Sequence, residues 1–119
     1  MKKDLEETKD FNPQFNSDGL IPCITTNEKG VVLMMAWMNR EAFLKTLDRR
    51  EMYYWSRSRN ELWHKGATSG HVQKLIELRT DCDQDCLLAI IEDEPACHTG
   101  RHSCFYRTVD LKNGKLNFD

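Results

Sequence analysis

Residues 81–86 read Asp-Cys-Asp-Gln-Asp-Cys, three acids and two thiols in six positions. In an extended strand, side chains alternate between faces, so Asp81, Asp83 and Asp85 would point one way and Cys82 the other. Carboxylate oxygens suit hard cations such as Mg²⁺ and thiolate sulfur suits Zn²⁺, so a sorting by face is also a sorting by ligand softness. One short segment could then serve two different metals.

Zinc commonly takes four ligands, and Cys-His-Thr-Gly-Arg-His-Ser-Cys at 97–104 offers Cys97 and Cys104 at a gap wider than that of a simple knuckle. With Cys82 they make three thiolates, leaving a fourth position for water or substrate, as in a catalytic site. His98, adjacent to Cys97, is the better candidate to take a proton from an activated water; His102 is the other imidazole of the stretch. The bland alternatives are a solvated acidic turn for 81–86 and buried thiols or a structural zinc for Cys97 and Cys104. Cys23 and Cys86 sit in apolar runs and read as core.

A third stretch, YYWSRSRNELWHKGATSGH at 53–71, interleaves Arg57, Arg59 and Lys65 with Ser69 and two glycines, a set able to hold phosphate through charge and backbone amides. The pattern of a P-loop is absent. The alternative is a basic hairpin face with Tyr54, Trp55 and Trp63 in the core.

The elements that must position these groups read as mostly strands. The chain has 119 residues, 39% of them hydrophobic, which suits a single domain over 1–119. Residues 1–17 are polar, interrupted by Pro13, and read as a loose arm. LIPCIT (20–25) and VVLMMAW (31–37) flank a turn ending at Gly30 and predict a hairpin, its second arm buried on both faces. Asn39 caps a helix over about 39–49, with Phe43, Leu44 and Leu47 at helical spacing. Strands are expected at 52–58, 71–79, 87–92 and 103–111, giving a strand-dominated α+β fold with one main helix.

With 17 basic and 19 acidic residues, the formal net charge of −2 provides no global attraction for nucleic acid or an anionic membrane. No apolar run is long enough to span a bilayer, and the N-terminus lacks the apolar core of a signal peptide. Five cysteines, an odd number, fit thiols kept reduced in the cytoplasm better than a disulfide framework.

Taken together, WSRSR, LWHKGATSGH, RTDCDQDCLL and ACHTGRHSCFYR closely resemble the phosphoribosyl-AMP cyclohydrolase family, from DGLIPCI at 18–24 through FYR at 105–107. The resemblance implies hydrolytic opening of the adenine ring of phosphoribosyl-AMP between N1 and C6, the third step of histidine biosynthesis, with a zinc-activated water as nucleophile. It implies an intertwined homodimer with an antiparallel, barrel-like sheet. Asp81, Asp83 and Asp85 would bind Mg²⁺; Cys82 of one chain and Cys97 and Cys104 of the other would share Zn²⁺. His98 would serve as general base, and Arg57, Arg59, Lys65 and Ser69 would contact the substrate's phosphates. Two positions depart from the family pattern: Ala67 stands where a glutamate is expected, and His64 where other residues are common. Nothing after Arg107 resembles the pyrophosphohydrolase domain fused to this enzyme in some organisms, so the preceding step is expected from another protein. The rival readings are a zinc-stabilised nucleic-acid-binding module, using the basic aromatic stretch for stacking, and a metal phosphohydrolase.

Overall fold

Asn27 closes the first hairpin by itself: its side-chain oxygen accepts from the backbone N–H groups of Lys29 and Val31, both at 3.0 Å. This Asx-type geometry joins β1 (Ile21–Thr26) to β2 (Val32–Met38), as the sequence predicts. A computed structural model describes residues 2–119 of the chain.

After β2, the Asn39 side chain accepts from Ala42 N–H at 2.9 Å and starts α2 (Arg40–Arg49), which Arg50 ends in the left-handed region at φ 59°. The helix buries Ala42, Phe43 and Thr46 rather than the expected leucines, and leaves Leu44 and Leu47 exposed. Thr46 explains the choice. Its hydroxyl donates to Ala42 O and accepts from Tyr53 N–H at 3.0 Å, tying the helix to the next strand.

The chain continues through β3 (Tyr53–Ser56), β4 (Glu61–His64), β5 (Leu75–Thr80) and β6 (Leu87–Ile91), which with the first hairpin form one curled sheet in the order β4-β3-β2-β1-β6-β5. The expected antiparallel sheet is corrected here: β1 and β6 run parallel, Cys23 to Thr26 beside Leu87 to Ile90, so the sheet is mixed. Alternation of apolar side chains is blind to strand direction. The β5–β6 hairpin fixes the direction of β6, and its apolar face then seats it against β1.

Burial is one-sided. In β2, Leu33, Met34 and Met38 are buried, whereas Val32 and Met35 are each 42% exposed, so the expectation of burial on both faces does not hold for the single chain. In the core, Tyr54 donates to Gln73 at 2.7 Å and lies 2.8 Å from the Thr25 hydroxyl, so its buried oxygen is satisfied from two strands' distance. Cys23 is fully buried, its thiol pushed up to about 12 by burial, and is the core residue expected; Cys86 is only half-buried.

Two further expectations change. The 103–111 strand shortens to β7 (Arg107–Val109), which pairs with β8 (Leu116–Phe118) in a separate hairpin. The polar arm is not loose. It forms α1 (Lys2–Glu7), sets Phe11 and Phe15 edge-on to Phe43, and hydrogen-bonds residue 84. Among the described residues no helix is long and apolar enough to cross a membrane.

Candidate functional site

The acidic hexad is a turn at the tip of the β5–β6 hairpin, not the extended strand expected from alternation. Gln84 N–H donates to Asp81 O, and Gln84 sits at φ 58°, the left-handed region that bends the chain back. Asp81 Oδ1 accepts from the backbone N–H groups of Asp85 and Cys86 at 3.1 and 3.2 Å. The turn still gathers Asp81, Asp83 and Asp85, whose carboxylate oxygens lie within 4.8 Å of one another. Among the described residues this is the sole group of three or more potential ligands so close.

Three like charges so near resist joint ionisation: hydrogen bonding to Asp83 and then Asp81 pushes the Asp85 carboxyl up to about 6. A cation would remove that conflict. Hard oxygen donors with a net negative charge fit Mg²⁺.

The thiol loop is held by backbone bonds. Ala96 N–H donates to His102 O, Cys97 N–H to Arg101 O, and Cys104 N–H to Leu33 O at 2.7 Å, which fastens the loop to β2. Ser103 adds a bond from its hydroxyl to Val32 O at 2.7 Å. At the loop's base, His102 pairs with Asp93, holding that carboxyl below its ordinary value, and Asn27 donates to the same carboxylate.

Cys97 and Cys104 influence each other's titration and differ in acidity. The Thr99 hydroxyl donates to Cys97 Sγ at 3.0 Å and holds that thiol below its ordinary value, whereas burial and the neighbouring Cys97 push Cys104 up. Two soft donors, one biased toward thiolate, suit zinc. Cys82 does not join them in the single chain. It is exposed and lines a groove beside the arm with Asp81, Arg79 and Lys9.

Of the expected phosphate contacts, Arg57 lies 5.0 Å over the Trp37 ring, and Arg57, Arg59 and Ser69 are exposed. Lys65 differs. It is 8% exposed, with Nζ 5.4 Å over the Trp63 ring; burial pulls its ammonium down, and the nearby Cys104 and Cys97 pull it back up. Gly66 fixes this end of β4 at φ +87°, and an added Cβ would lie 2.3 Å from the backbone of His71 and Val72. That glycine serves a close chain crossing. His64 stacks on Tyr53 at 4.3 Å and bonds Glu51 at 2.8 Å, a structural part, while Ala67 and His98 are exposed.

The sequence model of the phosphoribosyl-AMP cyclohydrolase family matches residues 34–106, more than half of the chain. A phosphoribosyl-AMP cyclohydrolase of Cereibacter sphaeroides is 62% identical over 97 residues, covering 80% of this chain and 82% of its own length. Those of Streptococcus mutans and Brucella anthropi are 58% identical over 102 residues and 50% over 120, covering 84% and 98% of this chain and 91% and 85% of their own. The chain belongs to the phosphoribosyl-AMP cyclohydrolase family. It is accordingly a hydrolase. The cyclohydrolase match takes in the carboxylate turn, the thiol loop and Lys65, and stops before the β7–β8 hairpin. Sequence reasoning missed Thr99 and Gln84: a threonine beside a cysteine and a glutamine between acids carry no signal until their partners are known.

Proposed function

We propose that this chain opens the adenine ring of 1-(5-phosphoribosyl)-AMP by hydrolysis between N1 and C6, giving phosphoribosyl-formimino-aminoimidazole carboxamide ribotide in the third step of L-histidine biosynthesis. The observation that carries the reading is that a single span matching the cyclohydrolase family holds both the carboxylate triad and the thiol pair. All five cysteines are free thiols, which agrees with action in the cytoplasm.

The proposed cofactors are Mg²⁺ at Asp81, Asp83 and Asp85, and Zn²⁺ at Cys97 and Cys104 with Cys82 from a second copy in an intertwined homodimer. Val32, Met35, Ile76 and Phe105, all 42% exposed or more on one chain, support a covering copy. Zinc supplies a Lewis acid that makes water nucleophilic near neutral pH.

The chain's own residues carry the rest. The substrate's N1-ribosylated adenine is cationic and electrophilic at C6. His98, exposed beside Cys97, takes the proton of the attacking water. Arg57, Arg59 and Ser69 hold phosphate from the exposed side. Lys65 offers a further ammonium to phosphate, and the same charge would offset thiolates at Cys97 and Cys104 nearby.

The test is turnover of phosphoribosyl-AMP by zinc- and magnesium-loaded protein, followed by the ultraviolet change on ring opening, with zinc content measured in parallel. Wild type turns over, and a Cys97→Ser variant loses both zinc and turnover. No turnover by folded, metal-replete wild type would sink the reading.

A further inference from the structure

Gln84, in the middle of the acidic turn, is 4% exposed. Its amide is fully used by the N-terminal arm. Gln84 Oε1 accepts from Asn12 N–H at 2.7 Å, and Nε2 donates to Leu5 O at 3.1 Å and Asp10 O at 3.3 Å. The backbone joins in, with Gln14 N–H donating to Gln84 O at 2.7 Å. The arm is fixed at its other side by Phe11 and Phe15 against Phe43 of α2. A turn tip of a hairpin, normally mobile, is thus fastened through its central residue to a segment packed on the core.

We propose that the arm and Gln84 form a clamp that positions the carboxylates of Asp81, Asp83 and Asp85 for a divalent cation, an inference that rests on the Mg²⁺ site proposed above. Gln84 occupies a left-handed conformation that costs a non-glycine residue energy, so a glycine there would make the turn more easily. At φ 58° with both amide atoms bonded to the arm, the Gln84 side chain serves the arm rather than the bend. Holding the tip preorganises three mutually repelling carboxylates, so less ordering is left for the cation to impose. The clamp acts on the metal ligands from outside, so Gln84 is a positioning residue.

The variants Gln84→Gly, which permits the turn but removes the clamp, and Gln84→Met, which keeps the length without hydrogen bonds, separate bend from clamp. Mn²⁺ serves as the probe, its free concentration read by electron paramagnetic resonance. Amide exchange over residues 5–14, zinc content and thermal unfolding are measured on the same samples. We expect both variants to bind Mn²⁺ about 10-fold or more weaker, with faster exchange in the arm and zinc content unchanged. Unchanged Mn²⁺ affinity in folded variants whose arm exchanges faster would overturn the clamp alone. Absence of Mn²⁺ binding in wild type, or binding that Asp83→Asn does not weaken, would overturn the metal reading and the clamp with it.

Discussion

The carboxylate turn and the thiol loop both hold candidate metal donors, but they assemble them differently. The turn gathers its three oxygens from five consecutive residues of one chain. The loop gathers two sulfurs and leaves Cys82 elsewhere. Donors close in sequence can be oriented by one turn's backbone; donors far apart need a whole fold, or a second copy, to bring them together. On the proposed reading the turn would hold its cation alone, whereas the loop would need Cys82 from a second copy.

The comparison breaks most readily at the thiols. Cys97→Ser should lower turnover by about 10²-fold or more and remove zinc while leaving Mn²⁺ affinity intact, since loss of a ligand exceeds loss of a supporting contact. Metal analysis of the purified variant checks it. Asp83→Asn should do the reverse, weakening Mn²⁺ binding by about 10-fold or more with zinc retained. A variant that lost both metals together would show the two regions to be one site.

Gly66→Ala strikes the chain crossing beside Lys65. Its Cβ would collide with the backbone of His71 and Val72, so unfolding stability should fall by about 3 kcal/mol, read by chemical denaturation.

The turn has its own signature in pH. Asp85 is raised in the folded state, so its stabilising contribution is full below the unfolded value near 3.8 and is lost as pH rises through about 6. Metal-free protein should lose stability from this group across that window, and saturating Mg²⁺ should abolish the loss. Asp93, lowered by His102, acts with the opposite sign, so the difference between samples with and without Mg²⁺ isolates the turn. The smallest effect belongs to Thr99→Val: without its hydroxyl the Cys97 thiol rises, and alkylation of zinc-free protein near neutral pH should slow about 2- to 5-fold.

What could be read from the residues follows the same division between local and distant. Asn39 marked the helix start because a cap acts within three residues. The carboxylates were recognisable by type, although the reason offered, alternation in a strand, was replaced by a turn about Gln84. The direction of β6 was hidden, because its neighbour β1 lies far back in the chain. The arm looked loose because its residues are polar; what anchors it is backbone bonding to residue 84, which composition does not reveal. Charge alone marks Lys65 in the sequence; its burial is a product of the fold and carries no signal there.

The parallel pairing of β1 with β6 also bears on how the protein is made. Residues 23–26 wait for residues 87–90, so the first hairpin leaves the ribosome with one flank unpaired. Such long-range closure slows folding, and an open strand edge invites pairing with a neighbouring nascent chain. Expression at lower temperature or with chaperone support should therefore raise the soluble yield more than any change to the carboxylate turn or the thiol loop.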